Sequence, residues 1–222
     1  MALSRLTKLD PDKKAKIIRI ATEEFAERGY EKASLSRIIT RCGMSRGALY
    51  YYFADKDDLY ATVLDEFSSA LLDIWSGDPP QQAPAFAHVD SPEAYWKEWM
   101  FSYQRSIRYY VQQPSGSQLL WQAVHTRTSG TSHPAQNALA ARMRQWLREA
   151  LERGQQISAV RADLPEDLLF ETVAGVAEGF ARWLAQKWSG IDEGQIDELA
   201  RLAAGFLQRV AEPVPDRIAG LA

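Results

Sequence analysis

From Asp10 to Val210, apolar residues recur at three- and four-residue intervals almost without interruption. That is the period of an α-helix with one buried face, and no segment alternates with the two-residue period of a strand. Asn-Gly and Asp-Gly hairpin signals are absent. The chain is therefore expected to be all-α. Cap and breaker residues divide it into about nine helices. Asp10 and Pro11 open the first, whose stripe is Ile17, Ile18, Ala21 and Phe25, with a stop at Gly29. A short second helix runs from about Ser34 to Cys42, and Gly43 marks a tight turn. Ser45 caps a short third helix carrying Leu49 and Phe53. Asp55 caps a long fourth, reaching about Trp75.

Residues 76–90 are rich in Pro and Gln and are expected to form a loop. Ser91-Pro92-Glu93 opens helix five, which ends near Gln113-Pro114. Helix six is expected from about Ser117 to Thr126, followed by a loop at Thr128–Ser132. Helix seven runs from His133-Pro134 to about Gly154, and helix eight from Leu164-Pro165 to Trp188. Asp192 caps helix nine, which Pro213 and Pro215 terminate. Two domains are expected, at 1–54 and 55–222.

Composition excludes several classes. In 222 residues, 46% are hydrophobic and 25% charged, so the chain packs a core and is not disordered throughout. No apolar run approaches the roughly 20 residues that span a bilayer, so no membrane partner is expected. The N-terminus lacks an apolar signal region, which makes the cytoplasm the expected compartment. The single cysteine, Cys42, excludes an intramolecular disulfide framework and is expected to be buried behind the turn. His88, His125 and His133 lie on separate segments without metal-ligand spacing. No Gly-rich phosphate loop and no Gly-x-Ser-x-Gly motif is present. No catalytic residue, metal or cofactor is expected, and the chain is not expected to be an enzyme.

The net charge of −3 conceals a split. Residues 1–54 carry 11 Lys/Arg against 6 Asp/Glu, and residues 55–222 carry 15 against 23. A basic head on an acidic body suggests that the head meets a polyanion. The second helix, Gly43 and the third helix form a candidate helix-turn-helix, which would place the start of its second helix in the major groove of DNA. That start reads Ser45-Arg46-Gly47-Ala48, followed by Tyr50-Tyr51-Tyr52. Arg46 can pair bidentately with guanine, while Gly47 and Ala48 let the helix approach bases closely. Three successive tyrosines fan out at about 100° steps, so at least one is exposed. Arg37 is a further DNA-facing candidate, and Lys56 is placed to meet the DNA backbone.

Residues 13–64 resemble the DNA-binding head of the TetR family of one-component regulators. The resemblance rests on Phe25-Ala26-Glu27-Arg28-Gly29-Tyr30, Leu35-Ser36-Arg37-Ile38-Ile39, Gly43 through Phe53, and Asp55-Lys56-Asp57-Asp58-Leu59, about a quarter of the chain. It implies an all-helical dimer with a three-helix DNA-binding head and a variable C-terminal ligand domain. It implies that Arg46, Gly47, Ala48 and Tyr51 face bases, and that Ser34, Ser45, Tyr50, Tyr52 and Lys56 lie at phosphates. Two positions depart from the family pattern. Tyr52 stands where histidine is common, and Ala48 where threonine is common.

The body is rich in aromatic residues. Trp96, Trp99, Tyr103, Ile107 and Tyr110 form a stripe on helix five, Trp121 and His125 sit one turn apart on helix six, and Trp146, Phe180 and Trp183 follow. Such rings suit either a core or a cavity for a flat apolar ligand. No Asp or Glu occurs between Glu98 and Glu149, whereas Arg105, Arg108, Arg127, Arg142, Arg144 and Arg148 do. Arg105 and Arg108 are candidate partners for an anionic group on that ligand. Helix eight carries Ala174, Gly175, Ala177, Gly179 and Ala181, and helix nine is apolar on more than one face, so these two helices are expected to form a homodimer. The expected function is a ligand-responsive DNA-binding repressor. It would leave a palindromic operator when a small aromatic or acyl ligand binds. The alternatives are a DNA-binding factor without a small-molecule ligand and a regulator that senses cationic hydrophobic drugs.

Overall fold

The structure is a computed structural model that describes residues 9–76, 86–125 and 133–214. Residues 77–85 of the loop expected at 76–90, the loop at Thr128–Ser132, Arg127 and Pro215 lie outside the described residues. Nine α-helices and one short 3-10 turn are found among the described residues, with no strand. They are α1 (Pro11–Lys32), α2 (Leu35–Cys42), α3 (Arg46–Tyr52), α4 (Lys56–Ser76), α5 (Pro92–Gln112), α6 (Pro114–His125), α7 (Pro134–Gln156), α8 (Glu166–Ala185) and α9 (Glu193–Ala211), with the 3-10 turn at Trp188–Gly190 before α9. No described helix is long and apolar enough to cross a membrane.

The helix starts follow side-chain chemistry. Asp10 accepts from Lys13 N–H, Ser34 from Arg37 N–H, Ser45 from Ala48 N–H and Asp55 from Asp58 N–H. Asp192 and Gln195 form a reciprocal capping box at α9. α1 is interrupted at Gly29 (φ 70°, ψ 164°) and regains one short turn to Lys32, so the expected stop is a kink. α6 begins at Pro114, three residues earlier than expected. A proline in the first helical turn has no N–H to lose. α7 does not stop at Gly154 but continues to Gln156. The glycine there serves close packing, because a Cβ would collide with Val160 and with the Tyr95 ring. α8 ends at Ala185, and the remainder of its expected length becomes the 3-10 turn.

The chain divides into two compact units, one of residues 1–70 with 113–140, the other of 71–112 with 141–222. The division by compactness differs from a boundary at 54/55. In the first unit, Ile17, Phe25, Ile38, Leu49, Phe53 and Leu59 form the buried centre. α6 joins this unit through polar contacts. Gln118 and Gln122 both donate to the Ala26 carbonyl, at 3.1 and 2.9 Å. Residues 133–140 join it at His133, whose ring packs on Tyr30 and Tyr60 at 4.8 and 5.0 Å, while Gln136 donates to the Tyr60 hydroxyl. In the second unit, Phe86, Tyr95, Trp99, Trp146, Phe170 and Val173 form the largest buried cluster. Ile107, Leu184, Ile196 and Ala200 form a smaller one. α9 packs on α5 and on α8.

Candidate DNA interface and ligand site

α2, Gly43 and α3 form the turn of the first unit. Gly43 sits at φ 67°, ψ 32°, the left-handed conformation that a residue with a Cβ avoids, and its N–H closes α2 on the Thr40 carbonyl. Leu49 and Phe53 anchor α3 inward, at 1% exposure each. That anchoring turns Ser45, Arg46, Gly47, Tyr50 and Tyr51 outward, with Tyr51 the most exposed large hydrophobic residue among those described, at 56%. Ala48 and Tyr52 are half-buried, and Tyr52 packs edge-on against Tyr51 at 5.0 Å. A Cβ at Gly47 would meet nothing within 4 Å, so the backbone there is open to a close approach.

The cations of the head are used unequally. Arg19 and Arg41 pair with Glu23, Lys14 pairs with Glu66, and Arg37 pairs with Glu24 at 2.6 Å. Arg46 makes no ion pair among the described residues, and its guanidinium lies 5.7 Å from the Tyr50 ring centroid. Arg37 is therefore directed at a carboxylate, whereas Arg46 is presented outward. Lys56 is half-buried. Its Nζ donates to the Tyr30 and Glu31 carbonyls at 2.9 and 3.2 Å and lies over the Tyr30 ring. Ser34 spends its hydroxyl on capping α2 and its N–H on Glu24.

Glu24 was not singled out in the sequence, and it organises this surface. It is 2% exposed. Burial alone would raise its carboxyl pKa, but hydrogen bonds from Arg37 and the Ser34 N–H, with the charges of Arg37 and Arg28, outweigh that and lower it. Cys42 is buried as expected, and burial raises its thiol despite the nearby Lys16, Arg41 and Arg19.

The candidate ligand residues separate into groups. Trp99 and Trp146 meet at 5.4 Å in the second unit. Trp96 reaches them through Tyr95, and Tyr103 lies 6.2 Å from Trp99. Phe180 packs on Tyr103, and Trp183 extends this chain of rings onto an exposed face. Tyr110 belongs to the smaller cluster, beside Trp188. Trp121 and His125 belong to the first unit and stack on each other at 3.5 Å. Arg105 is spent on Glu98, Ser102 and the Ile74 carbonyl, and Arg108 on Glu193. Phe86 was missed because it follows a Pro/Gln-rich stretch that carries no periodic signal.

On α8 and α9, Gly175, Gly179, Phe180, Trp183, Leu202 and Phe206 line an apolar groove of about 390 Å³. Trp183, Leu202 and Phe206 remain 45–48% exposed there, an unusual position for such large apolar side chains.

A capped helix-turn-helix with an outward Arg46, in an all-α chain with a second helical unit, defines a DNA-binding transcriptional regulator. Residues 17–63 match the family model for bacterial regulatory proteins of the tetR family. The chain is 27% identical over 193 residues to the transcriptional repressor AcnR of Corynebacterium glutamicum, covering 87% of this chain and 91% of that protein. Among solved structures, a TetR-family regulator from Chloroflexus aurantiacus superposes with a TM-score of 0.63 at 19% identity, covering 94% of this chain and 97% of that one. FadR from Bacillus subtilis, solved in complex with stearoyl-CoA, gives 0.66 at 17% identity, with coverages of 87% and 96%. Residues 17–63 thus match the DNA-binding region of the tetR family, and the chain as a whole shares the fold of TetR-family regulators.

Proposed function

We propose that the protein is a ligand-responsive repressor. A dimer would hold a palindromic operator through Arg46, Gly47, Ala48 and Tyr51 at bases and through Ser34, Ser45, Tyr50, Tyr52 and Lys56 at phosphates. Residues 1–54 act as the DNA-binding domain and 55–222 as the ligand-binding and dimerisation domain. The observation that carries this reading is the outward Arg46, without an ion pair among the described residues, on a helix whose opposite face is locked by Leu49 and Phe53. Repression is supported by the likeness to AcnR, which is named as a transcriptional repressor. A DNA-bound role places the protein in the cytoplasm.

The dimer is built from α8 and α9 of each subunit, and the exposed Trp183, Leu202 and Phe206 support that assignment. Two-fold symmetry then puts the half-sites about one helical turn, or a multiple of it, apart. The effector is a small aromatic or acyl molecule, and an anionic group on it would look to an arginine such as Arg105 or Arg108. Support comes from the aromatic wall of the second unit and from the fold shared with FadR, whose structure contains stearoyl-CoA.

Selection of bound sequences from a random DNA pool tests the proposal. It predicts enrichment of a two-fold symmetric site. Enrichment of no sequence above the starting pool would overturn it.

A further inference from the structure

The aromatic cluster of the second unit satisfies its polar atoms unevenly. Trp75 Nε1 donates to Ser106 Oγ at 2.8 Å, and the Tyr95 hydroxyl donates to the Ala150 carbonyl at 2.9 Å. Trp99 and Trp146 are 5% and 8% exposed, yet neither indole Nε1 has a hydrogen-bond partner among the described residues. The Trp99 N–H acts on the Tyr95 hydroxyl, lowering its pKa against the rise from burial, so Trp146 Nε1 is the more isolated of the two. Buried indole N–H groups ordinarily find an acceptor, so two orphans in adjoining rings mark a place where an acceptor is missing.

Both orphan indoles pack edge-on against one residue. Phe86 lies 5.2 Å from Trp99, 5.6 Å from Trp146 and 5.3 Å from Tyr95. It is fully buried, with its backbone at φ 57° in the left-handed region that L side chains rarely adopt. The chain thus accepts local strain to set a phenyl ring against both indoles. Several charges of this unit are already committed, while Arg148 lies over the Phe170 ring, 4.8 Å from its centroid. Arg105 holds Glu98, Arg153 donates to the Val89 carbonyl, and Arg108 holds Glu193. An anion at Arg105, Arg108 or Arg153 would have to break one of these pairings, and a cation would find Glu98 taken.

We infer that the Phe86 ring occupies the seat of a neutral aromatic effector, whose hydrogen-bond acceptor takes the N–H of Trp146 or Trp99. This rests on the ligand-responsive reading above and narrows its effector to an uncharged aromatic carbonyl or ether. The effector displaces Phe86, replaces its edge-to-face contacts and adds the acceptor that a phenyl ring lacks.

The test uses the full chain and three probes of similar size: acetophenone, toluene and benzoate. Binding is followed by tryptophan fluorescence and by thermal unfolding of the wild type, Phe86→Ala, and Phe86→Ala combined with Trp146→Phe. Phe86→Ala is expected to lower Tm, with acetophenone recovering at least half of the loss. Toluene recovers less, and benzoate binds at least tenfold more weakly than acetophenone. Adding Trp146→Phe reduces the preference for acetophenone over toluene at least threefold. Recovery by none of the probes, equal recovery by toluene and acetophenone, an unchanged preference after Trp146→Phe, or tighter binding of benzoate would each overturn the inference. Should Phe86→Ala fail to fold, Phe86→Leu replaces it, and the wild-type ratio of acetophenone to toluene affinity decides in the same way. Operator affinity is measured alongside. Intact operator binding with no probe binding overturns this inference alone, whereas probe binding that leaves operator affinity unchanged overturns ligand-responsive regulation and leaves the site standing.

Discussion

A single carboxylate oxygen, Glu24 Oε1, accepts from both Nε and Nη2 of Arg37, at 3.2 and 2.6 Å. The same oxygen accepts the Ser34 N–H at 2.9 Å. α1 thereby grips the first turn of α2, and α2 in turn sets the angle at which α3 is presented. Arg37, a candidate for DNA contact by sequence, is used to hold the two helices of the head together.

Replacing Glu24 with Gln should therefore cost about 1–3 kcal/mol, because a charge-assisted set of bonds is lost around a buried side chain. The substitution should weaken operator binding without changing which sequence is preferred. Chemical denaturation read by circular dichroism and operator titration check the two parts.

Acid sensitivity follows from the same carboxylate. Burial would raise the Glu24 carboxyl, but its Arg37 and Ser34 partners leave it lowered overall. The stability it contributes is thus fully present above the ordinary glutamate value of about 4.3 and is lost as pH falls through the lowered one. Glu23, lowered by Arg41 and Arg19 against its own burial, acts with the same sign. Wild-type stability should fall below about pH 4, and Glu24→Gln should flatten part of that fall.

Lys56 combines two roles. Two of its three N–H donors serve the Tyr30 and Glu31 carbonyls, which leaves one for a phosphate. Lys56→Ala should lower Tm and also reduce the slope of log affinity against log salt by about one, equally for all DNA sequences. A fall in Tm with an unchanged slope would confine Lys56 to the fold.

Five of the nine described helices were legible because their starts carry a side chain that bonds a free backbone N–H. Asp10, Ser34, Ser45, Asp55 and Asp192 all do so. What the sequence did not reveal depends on distant partners. Gly154 looks like a stop but is a close-packing site, because Tyr95 and Val160 reach it from elsewhere in the chain. In the sequence, the window between Glu98 and Glu149 holds arginines and no carboxylate, so their partners are not visible there. Glu98 and Glu193, at the edge of that window and far beyond it, take up Arg105 and Arg108. Phe86 belongs to no periodic stripe, so only the folded chain reveals that its ring sits at the centre of the aromatic cluster.

The dimer surface is testable by one charge. Phe206→Glu places a carboxylate on the exposed apolar face of α8 and α9. The wild type should sediment as a dimer at micromolar concentration and the variant as a monomer with near-wild-type helicity. A wild-type monomer would contradict the assignment.

The central claim is that α3 reads DNA through Arg46, and operator titration of Arg46→Ala tests it most directly. Affinity for the selected operator should fall by about 1–3 kcal/mol, with preference relaxed at one base pair per half-site and helix content unchanged. Unchanged operator affinity and unchanged base preference in that variant would contradict it.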